Sequence, residues 1–81
     1  MKRTAENLVN LYTSMGLTCS TAESCTGGGV GKAITAISGS SAIYPGGVIS
    51  YANEIKHKAL GVKKETLEKF GAVSSECAAE M

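Results

Sequence analysis

The stretch from Thr21 to Gly29, TAESCTGGG, constrains the fold more than any other part of this chain. The residues that lead into it, 17–22, have the threonine and cysteine content typical of a β-strand. The residues that leave it, 27–37, carry apolar side chains at helical spacing. The glycines between them let the backbone approach a ligand closely, and the first N–H groups of the helix point toward that ligand. The sequence therefore predicts a strand–loop–helix junction with a binding site in the loop.

Residues on either side of this junction predict a βαβ unit. A helix is expected over 4–15, with Thr4 as its N-cap and Gly16 just after its end. Residues 48–51 are mostly β-branched or aromatic and predict a second strand. Because a helix separates the two strands, we expect them to be parallel, with a right-handed crossover. The pattern places the chain in the α/β class.

Three short helices are predicted after the second strand. They cover 54–60 with Asn53 as the cap, then 63–70, then a last helix capped by Ser74 or Ser75. A βαβ unit supplies only two strands, too few to carry helices on both faces of a sheet as a stable domain. We therefore expect residues 1–81 to be part of an α/β domain that further chain or a second copy completes. Because uncovered sheet edges and apolar faces favour association, a homo-oligomer is also expected.

Composition excludes several classes of function. The net charge of +1 gives no electrostatic footprint for nucleic acid or an anionic membrane surface. No apolar run approaches the roughly 20 residues that span a bilayer, and the basic start lacks the apolar stretch of a signal peptide. We therefore expect a cytoplasmic protein. The three cysteines form no Cys-x-x-Cys pair and there is one histidine, so no metal site is expected.

Two phosphate-binding motifs fail at the glycine-rich loop. A P-loop requires serine or threonine after Gly31 and Lys32, where the chain has Ala33. The dinucleotide-binding pattern that could start at Gly27 and Gly29 requires a third glycine where Lys32 stands. Anion binding at the start of the helix, without either motif, stays open.

Ser24 is a candidate nucleophile because it lies in the loop after the first strand. The chain has no aspartate, so a Ser-His-Asp triad is excluded and a Ser-His-Glu triad would have to use His57. Ligands bind beyond the carboxyl ends of strands in an open parallel sheet, and Tyr51, Asn53 and Lys56 follow the second strand. A lysine base is an attested alternative to histidine. A capping serine, a strand tyrosine and a solvated lysine remain the alternative interpretation.

Five segments of the chain, in order, resemble the C-terminal domain of CinA, the nicotinamide-nucleotide amidase (NMN deamidase) family. They are TAESCTGG at 21–28, SGSS at 38–41, GVISYANEIK at 47–56, GV at 61–62 and GAVS at 71–74. The resemblance implies a three-layer α/β/α fold. It also implies hydrolysis of the carboxamide of nicotinamide mononucleotide, which yields nicotinate mononucleotide and ammonia. The resemblance covers only the N-terminal half of that domain.

The resemblance assigns roles to individual residues. It implies that Ser24 is the nucleophile and that Lys56, with Tyr51, acts as the base. No metal or cofactor is implied.

The substrate-binding residues that we expect are Cys25, Thr26, Gly27, Gly28 and Asn53, with backbone N–H groups near 25–28 holding the oxyanion. Because half of the domain is missing, we expect little activity unless another chain supplies the rest. The alternative is a non-catalytic remnant or oligomerising module that binds a pyridine nucleotide without turnover.

Overall fold

The computed structural model describes residues 2–81, with Lys2 as backbone only. Its strands are β1 (Ser20–Glu23) and β2 (Gly46–Ile49), and one turn of 3₁₀ helix covers Ser40–Ala42. None of the helices in this described range has the length and apolar character that a membrane span requires. The helices, in chain order, are α1 (Lys2–Met15), α2 (Gly29–Thr35), α3 (Asn53–Leu60), α4 (Lys64–Phe70) and α5 (Ser75–Glu80).

The two strands pair directly with each other. Cys19 N donates to Ile43 O before the paired segment (2.8 Å), and Ser50 N donates to Glu23 O after it (2.7 Å). Because residue numbers rise together on both sides, the pairing is parallel. The α/β class that the sequence predicts is therefore confirmed.

The chain divides into two compact units, each built from two stretches of sequence. The first unit consists of the chain up to Thr21 together with Gly28–Gly47. The second consists of Ala22–Gly27 together with Val48–Met81. The division therefore cuts through both strands, and each unit is described by itself below.

The first unit has a small aliphatic core. Val9 of α1, Ile34 of α2 and Ile43 after the 3₁₀ helix are buried together. Burial of these apolar faces stabilises helices that are too short to persist alone. Partly buried side chains that pack around them are Leu8, Tyr12, Cys19, Val30, Ile37 and Tyr44.

Helix α1 begins two residues earlier than the sequence predicts, so the assignment of Thr4 as N-cap is wrong. Lysine and arginine are good helix formers, and nothing at residues 2 and 3 prevents the helix from including them. Gly16 ends the helix as predicted, with a left-handed φ of 67°. Leu17 N then donates to Tyr12 O (3.0 Å), so Leu17 still belongs to the end of the helix. Strand β1 therefore begins at Ser20 and not at residue 17 as predicted.

Backbone conformation also shortens the predicted α2. The expected range, 27–37, becomes Gly29–Thr35. Gly27 and Gly28 have φ values of 60° and 95°, which are left-handed and belong to the loop rather than the helix.

The second unit is held by short helices and polar contacts. Val62 and Cys77 are fully buried, and α4 packs against α5. Ser74 caps α5 as predicted, because its hydroxyl accepts the N–H of Cys77 (3.1 Å). The predicted cap at Asn53 is wrong, since Asn53 is the first helical residue of α3 and the extended residue before it, Ala52, holds the N-cap position without a side-chain bond.

Helix α4 presents a different face from the one that its apolar residues predict. The spacing of Leu67 and Phe70 predicts that both face inward, but Phe70 is 46% exposed. Thr66 is the buried residue of this helix, because its hydroxyl donates to Glu80 Oε2 (2.6 Å). Phe70 instead lies under the amine of Lys69, 5.3 Å from its ring centroid.

Substituting Gly47 should destabilise the first unit. A Cβ at this position would collide with the hydroxyls of Thr21 and Tyr44 and would lie 2.8 Å from Thr21 O, a backbone atom that cannot move freely. We expect Gly47→Ala to lower the free energy of unfolding by about 1–3 kcal/mol in urea titrations. Gly29→Ala is the matched control, since its Cβ would meet nothing within 4 Å. An equal effect of the two substitutions would contradict this prediction.

Glu80 should make the second unit sensitive to acid. Its pKa lies below the ordinary value of 4.5, because it accepts hydrogen bonds from the Thr66 hydroxyl and, at 2.8 Å, from the Lys63 N–H. A lowered pKa stabilises the fold above the unfolded value, and this stabilisation disappears as the pH falls through the folded value.

A carboxyl NMR titration checks this directly. The pKa of Glu80 should lie below 4.5 and should rise toward it in Thr66→Val, which removes the larger cause of the shift. Glu80→Gln should destabilise the chain at neutral pH, and the difference should shrink in acid. A titration at or above the ordinary value would show that the carboxylate does not hold α4 in solution.

Candidate active site

The loop after β1 carries Ser24, and the side chain of Glu23, the residue before it, holds this loop through a hydrogen bond. Glu23 is buried, and its Oε1 accepts a hydrogen bond from Thr26 Oγ1 (2.8 Å). Gly27 N donates to Ser24 O (3.0 Å), so the loop turns tightly around the serine. Ser24 itself is half-buried, and the residues that follow it are exposed. The backbone of this loop is therefore fixed while its outer surface stays accessible.

Lys56 is the most unusual residue of the second unit. It is 2% exposed although it is a lysine on a short helix. Its Nζ donates to Ser50 O at 2.7 Å and to Tyr51 O at 3.0 Å. Lysine is almost never buried without such partners. The structure thus rules out the alternative interpretation of a solvated lysine.

Ser50 connects the loop to the lysine. It is fully buried, and both its N–H and its hydroxyl donate to Glu23 O, at 2.7 and 3.0 Å. The carbonyl of Glu23 and the nitrogen of Ser24 belong to the same peptide group. Ser50 therefore contacts the peptide that precedes Ser24 on one side and the amine of Lys56 on the other. The ends of the two strands therefore lie together, while the predicted meeting of Ser24, Tyr51, Asn53 and Lys56 stays a prediction.

Two predicted contacts are not made. Lys56 meets the backbone carbonyl of Tyr51 rather than its phenol, and the Tyr51 side chain is 76% exposed. Within residues 2–81, neither the Ser24 hydroxyl nor the Tyr51 hydroxyl has a hydrogen-bond partner. The catalytic roles of these residues stay predictions.

The expected oxyanion donors differ in availability. The N–H of Gly27 is already donated to Ser24 O, so it is not free for a ligand in this conformation. In the part of the chain that the structure describes, the N–H groups of Cys25 and Thr26 donate to no protein acceptor. Gly28 lies in the first unit, where it is the N-cap residue of α2.

Asn53 is exposed at the start of α3, where it lines a groove of about 590 Å³ between α3 and α4. Its role in substrate binding stays a prediction. None of Ser24, Tyr51 and Lys56 lines this groove. His57 also lines it, and its Nδ1 lies 2.8 Å from Val62 O. The structure thus gives no support to His57 as the base for Ser24.

The sequence pattern did not predict the role of Ser50 or the hydrogen bond by which Glu23 holds the loop. A serine between Ile49 and Tyr51 matches a strand pattern and gives no separate signal. Glu23 had a signal, because a carboxylate at the end of a strand and three residues before Thr26 is suited to a local hydrogen bond. No group of three or more histidine, cysteine or acidic side chains in residues 2–81 is placed to hold a metal ion.

The comparison with known families is decisive. The sequence model of the CinA C-terminal domain matches residues 1–81. The chain belongs to the CinA C-terminal domain family. The resemblance seen in its motifs is thereby confirmed.

Similar proteins are longer than this chain. A CinA-like protein from Kosmotoga olearia is 59% identical over 76 residues, which cover 94% of this chain and 18% of that protein. A putative competence-damage inducible protein from Bacillus subtilis is 54% identical over 66 residues, which cover 82% of this chain and 16% of that protein. The chain therefore spans less than a fifth of the length of these family members.

Solved structures show the same fold. The crystal structure of the competence/damage inducible protein CihA from Agrobacterium tumefaciens superposes with a TM-score of 0.97 at 46% identity. The match covers 99% of this chain and 48% of that one. A competence or damage-inducible protein from Enterobacter asburiae gives a TM-score of 0.91 at 38% identity, with 98% and 50% covered. The chain thus spans about half of each solved family structure.

Removing the amine of Lys56 should destabilise the second unit. Lys56→Met keeps most of the side-chain volume but leaves the carbonyls of Ser50 and Tyr51 without their donor. We expect a loss of about 1–3 kcal/mol in the free energy of unfolding. Lys58→Met on the same helix is the control, because Lys58 is 67% exposed and loses only an ion pair with Glu54. That control should cost less than about 0.5 kcal/mol, and equal losses would argue against a structural role for the buried amine.

Proposed function

We propose that this chain carries the nucleophile and the base of an amidohydrolase that converts nicotinamide mononucleotide into nicotinate mononucleotide and ammonia. One observation carries the proposal. The amine of Lys56 is buried 2.7 Å from Ser50 O, and Ser50 in turn contacts the peptide that leads into Ser24. A buried lysine held beside a loop serine is the arrangement that serine–lysine hydrolases use.

The position of the Lys56 amine is fixed. Two carbonyl oxygens, of Ser50 and Tyr51, accept from Nζ at 2.7 and 3.0 Å. In the proposed reaction this amine takes the proton of the Ser24 hydroxyl. Hydrogen bonds between nucleophile and base are often made only when substrate is present, so their absence here is compatible with this role.

The proposed reaction proceeds through an acyl-enzyme. Ser24 Oγ attacks the carboxamide carbon and its proton passes to Lys56 Nζ. The N–H groups of Cys25 and Thr26 stabilise the oxyanion. The C–N bond then breaks, and the leaving nitrogen takes the proton from Lys56 and departs as ammonia. Water attacks the ester, which releases nicotinate mononucleotide and restores the Ser24 hydroxyl.

The remaining predicted residues have roles at the substrate. The exposed phenol of Tyr51 is free to contact the substrate or the amine of Lys56. Gly27 and Asn53, which belong to the second unit, are proposed to contribute to substrate binding. Because the chain spans about half of the solved family structures, we propose that further chain or a second copy supplies the rest of the pocket in a homo-oligomer.

The proposed setting is the cytoplasm. Cys19, Cys25 and Cys77 are free thiols, as expected in a reducing compartment. The proposed substrate is a small molecule, and the proposed reaction uses the side chains of the protein and water alone.

The absence of a hydrogen bond between Lys56 and the hydroxyls of Ser24 and Tyr51 supports a second candidate function. Neither the Ser24 hydroxyl nor the Tyr51 phenol donates to or accepts from Lys56 Nζ in the described residues. The alternative is a module that binds a pyridine nucleotide without turnover. Calorimetry with nicotinamide mononucleotide separates the two functions, because heat of binding without ammonia release supports the second.

Replacing Ser24 should abolish the reaction. Ammonia release is measured on the chain alone and on a full-length family protein in which these 81 residues replace the corresponding segment. We expect Ser24→Ala to lower kcat by at least about 1,000-fold, because no other group forms the acyl-enzyme. Ser20→Ala, which removes an exposed serine hydroxyl of β1, is the matched control and should leave kcat unchanged. Equal rates for wild type and Ser24→Ala would eliminate the proposed role of Ser24.

A further inference from the structure

Ser50 uses all of its polar groups on the peptide that precedes Ser24 and on the amine of Lys56. Its N–H and its hydroxyl donate to Glu23 O, and its carbonyl accepts from Lys56 Nζ. Its side chain is fully buried, so no water competes for these bonds. A backbone ladder alone would supply one donor to the carbonyl of Glu23. The hydroxyl adds a second.

A second donor on this carbonyl limits the movement of the next residue. The peptide group that contains Glu23 O also contains the nitrogen of Ser24 and is planar. Fixing this plane therefore fixes the Cα of Ser24, to which the side chain is attached. Two donors, at 2.7 and 3.0 Å, hold that plane more firmly than one. The same serine holds the amine of Lys56 through its carbonyl at 2.7 Å.

A serine at this position requires an explanation. The neighbouring strand residues, Val48 and Ile49, are β-branched, and valine at position 50 would suit an extended, buried backbone better. Burying a hydroxyl costs free energy unless it makes a hydrogen bond. The hydroxyl of Ser50 makes its bond to Glu23 O, in the peptide that precedes Ser24.

We propose that Ser50 is a positioning residue that sets the separation between the hydroxyl of Ser24 and the amine of Lys56. This inference rests on the proposed function, because it assumes that Ser24 is activated by Lys56. Ser50 itself does not contact the substrate. It acts by holding Ser24 and Lys56, which do.

The test uses the reactivity of Ser24 toward phenylmethanesulfonyl fluoride, so it does not depend on the substrate. The Oγ–S bond forms, fluoride leaves, and the hydroxyl proton passes to the base. Intact mass gives the labelling rate and peptide mapping gives the site. Fragmentation of the labelled peptide distinguishes Ser24 from Cys25, an exposed thiol next to it.

We expect Ser50→Ala to slow the labelling of Ser24 by about 10- to 100-fold, the range that misplacing a reacting group produces. Ser50→Cys keeps the side-chain size but offers only a weak donor, so it should also be slow. The rate in both variants should rise with pH like that of an unassisted serine, whereas the wild-type rate should level off once the base is available. A purely structural role would not change this pH dependence.

Thr66→Val is the matched control. It also removes a buried hydroxyl with a hydrogen bond in the second unit, that to Glu80 Oε2, and it should leave the labelling rate within about twofold. Equal rates for wild type and Ser50→Ala, equal slowing in Thr66→Val, or no labelling of Ser24 in the wild type would each overturn the inference. Labelling that depends on Ser50 without ammonia release from nicotinamide mononucleotide would instead leave the inference standing and reject the proposed substrate.

Discussion

The buried amine of Lys56 is the constraint on which the second unit depends. An amine placed inside a small protein must find oxygen acceptors, and here they are the backbone carbonyls of Ser50 and Tyr51. Both carbonyls lie directly after β2, which ends at Ile49, two residues before the β-branched and aromatic pattern ends. The chain then turns into α3, which brings the lysine back over the end of the strand.

The sequence predicted the order of the elements and the parallel pairing of the strands better than the limits of each element. The order strand–loop–helix–strand was enough to predict that the residues after the two strands share one edge of the sheet, and the bonds from Ser50 to Glu23 O join the two strand ends there. That Ser24, Tyr51, Asn53 and Lys56 form one site stays a prediction. The first and last residues of the elements depended on backbone conformation, which residue type alone does not predict. The left-handed φ values of Gly27 and Gly28 removed them from α2, although their neighbours have helical spacing.

Contacts between distant residues explain most of what the sequence analysis missed. The cap of α5 was predicted to be Ser74 or Ser75, and it is Ser74. This prediction was possible because the bond from Cys77 N to the cap spans only three residues. Ser50 was missed because its partner, Glu23, is 27 residues away and is reached only when the strands pair. Phe70 was misassigned for a similar reason, since the inner face of α4 is set by the bond between Thr66 and Glu80 of α5.

The distribution of these contacts separates two parts of the proposed chemistry. Ser24, Ser50 and Lys56 all belong to the second unit. Within it, Ser50 donates to Glu23 O, in the peptide that precedes Ser24, and accepts from Lys56 Nζ. In the proposed function, the nucleophile and the base therefore both come from that unit. Recognition of the proposed nucleotide is assigned to further chain as well, because this chain spans about half of the solved family structures. The proposed chemistry thus divides into activation of Ser24, for which one unit holds both groups, and recognition of the substrate, for which more of the domain is proposed.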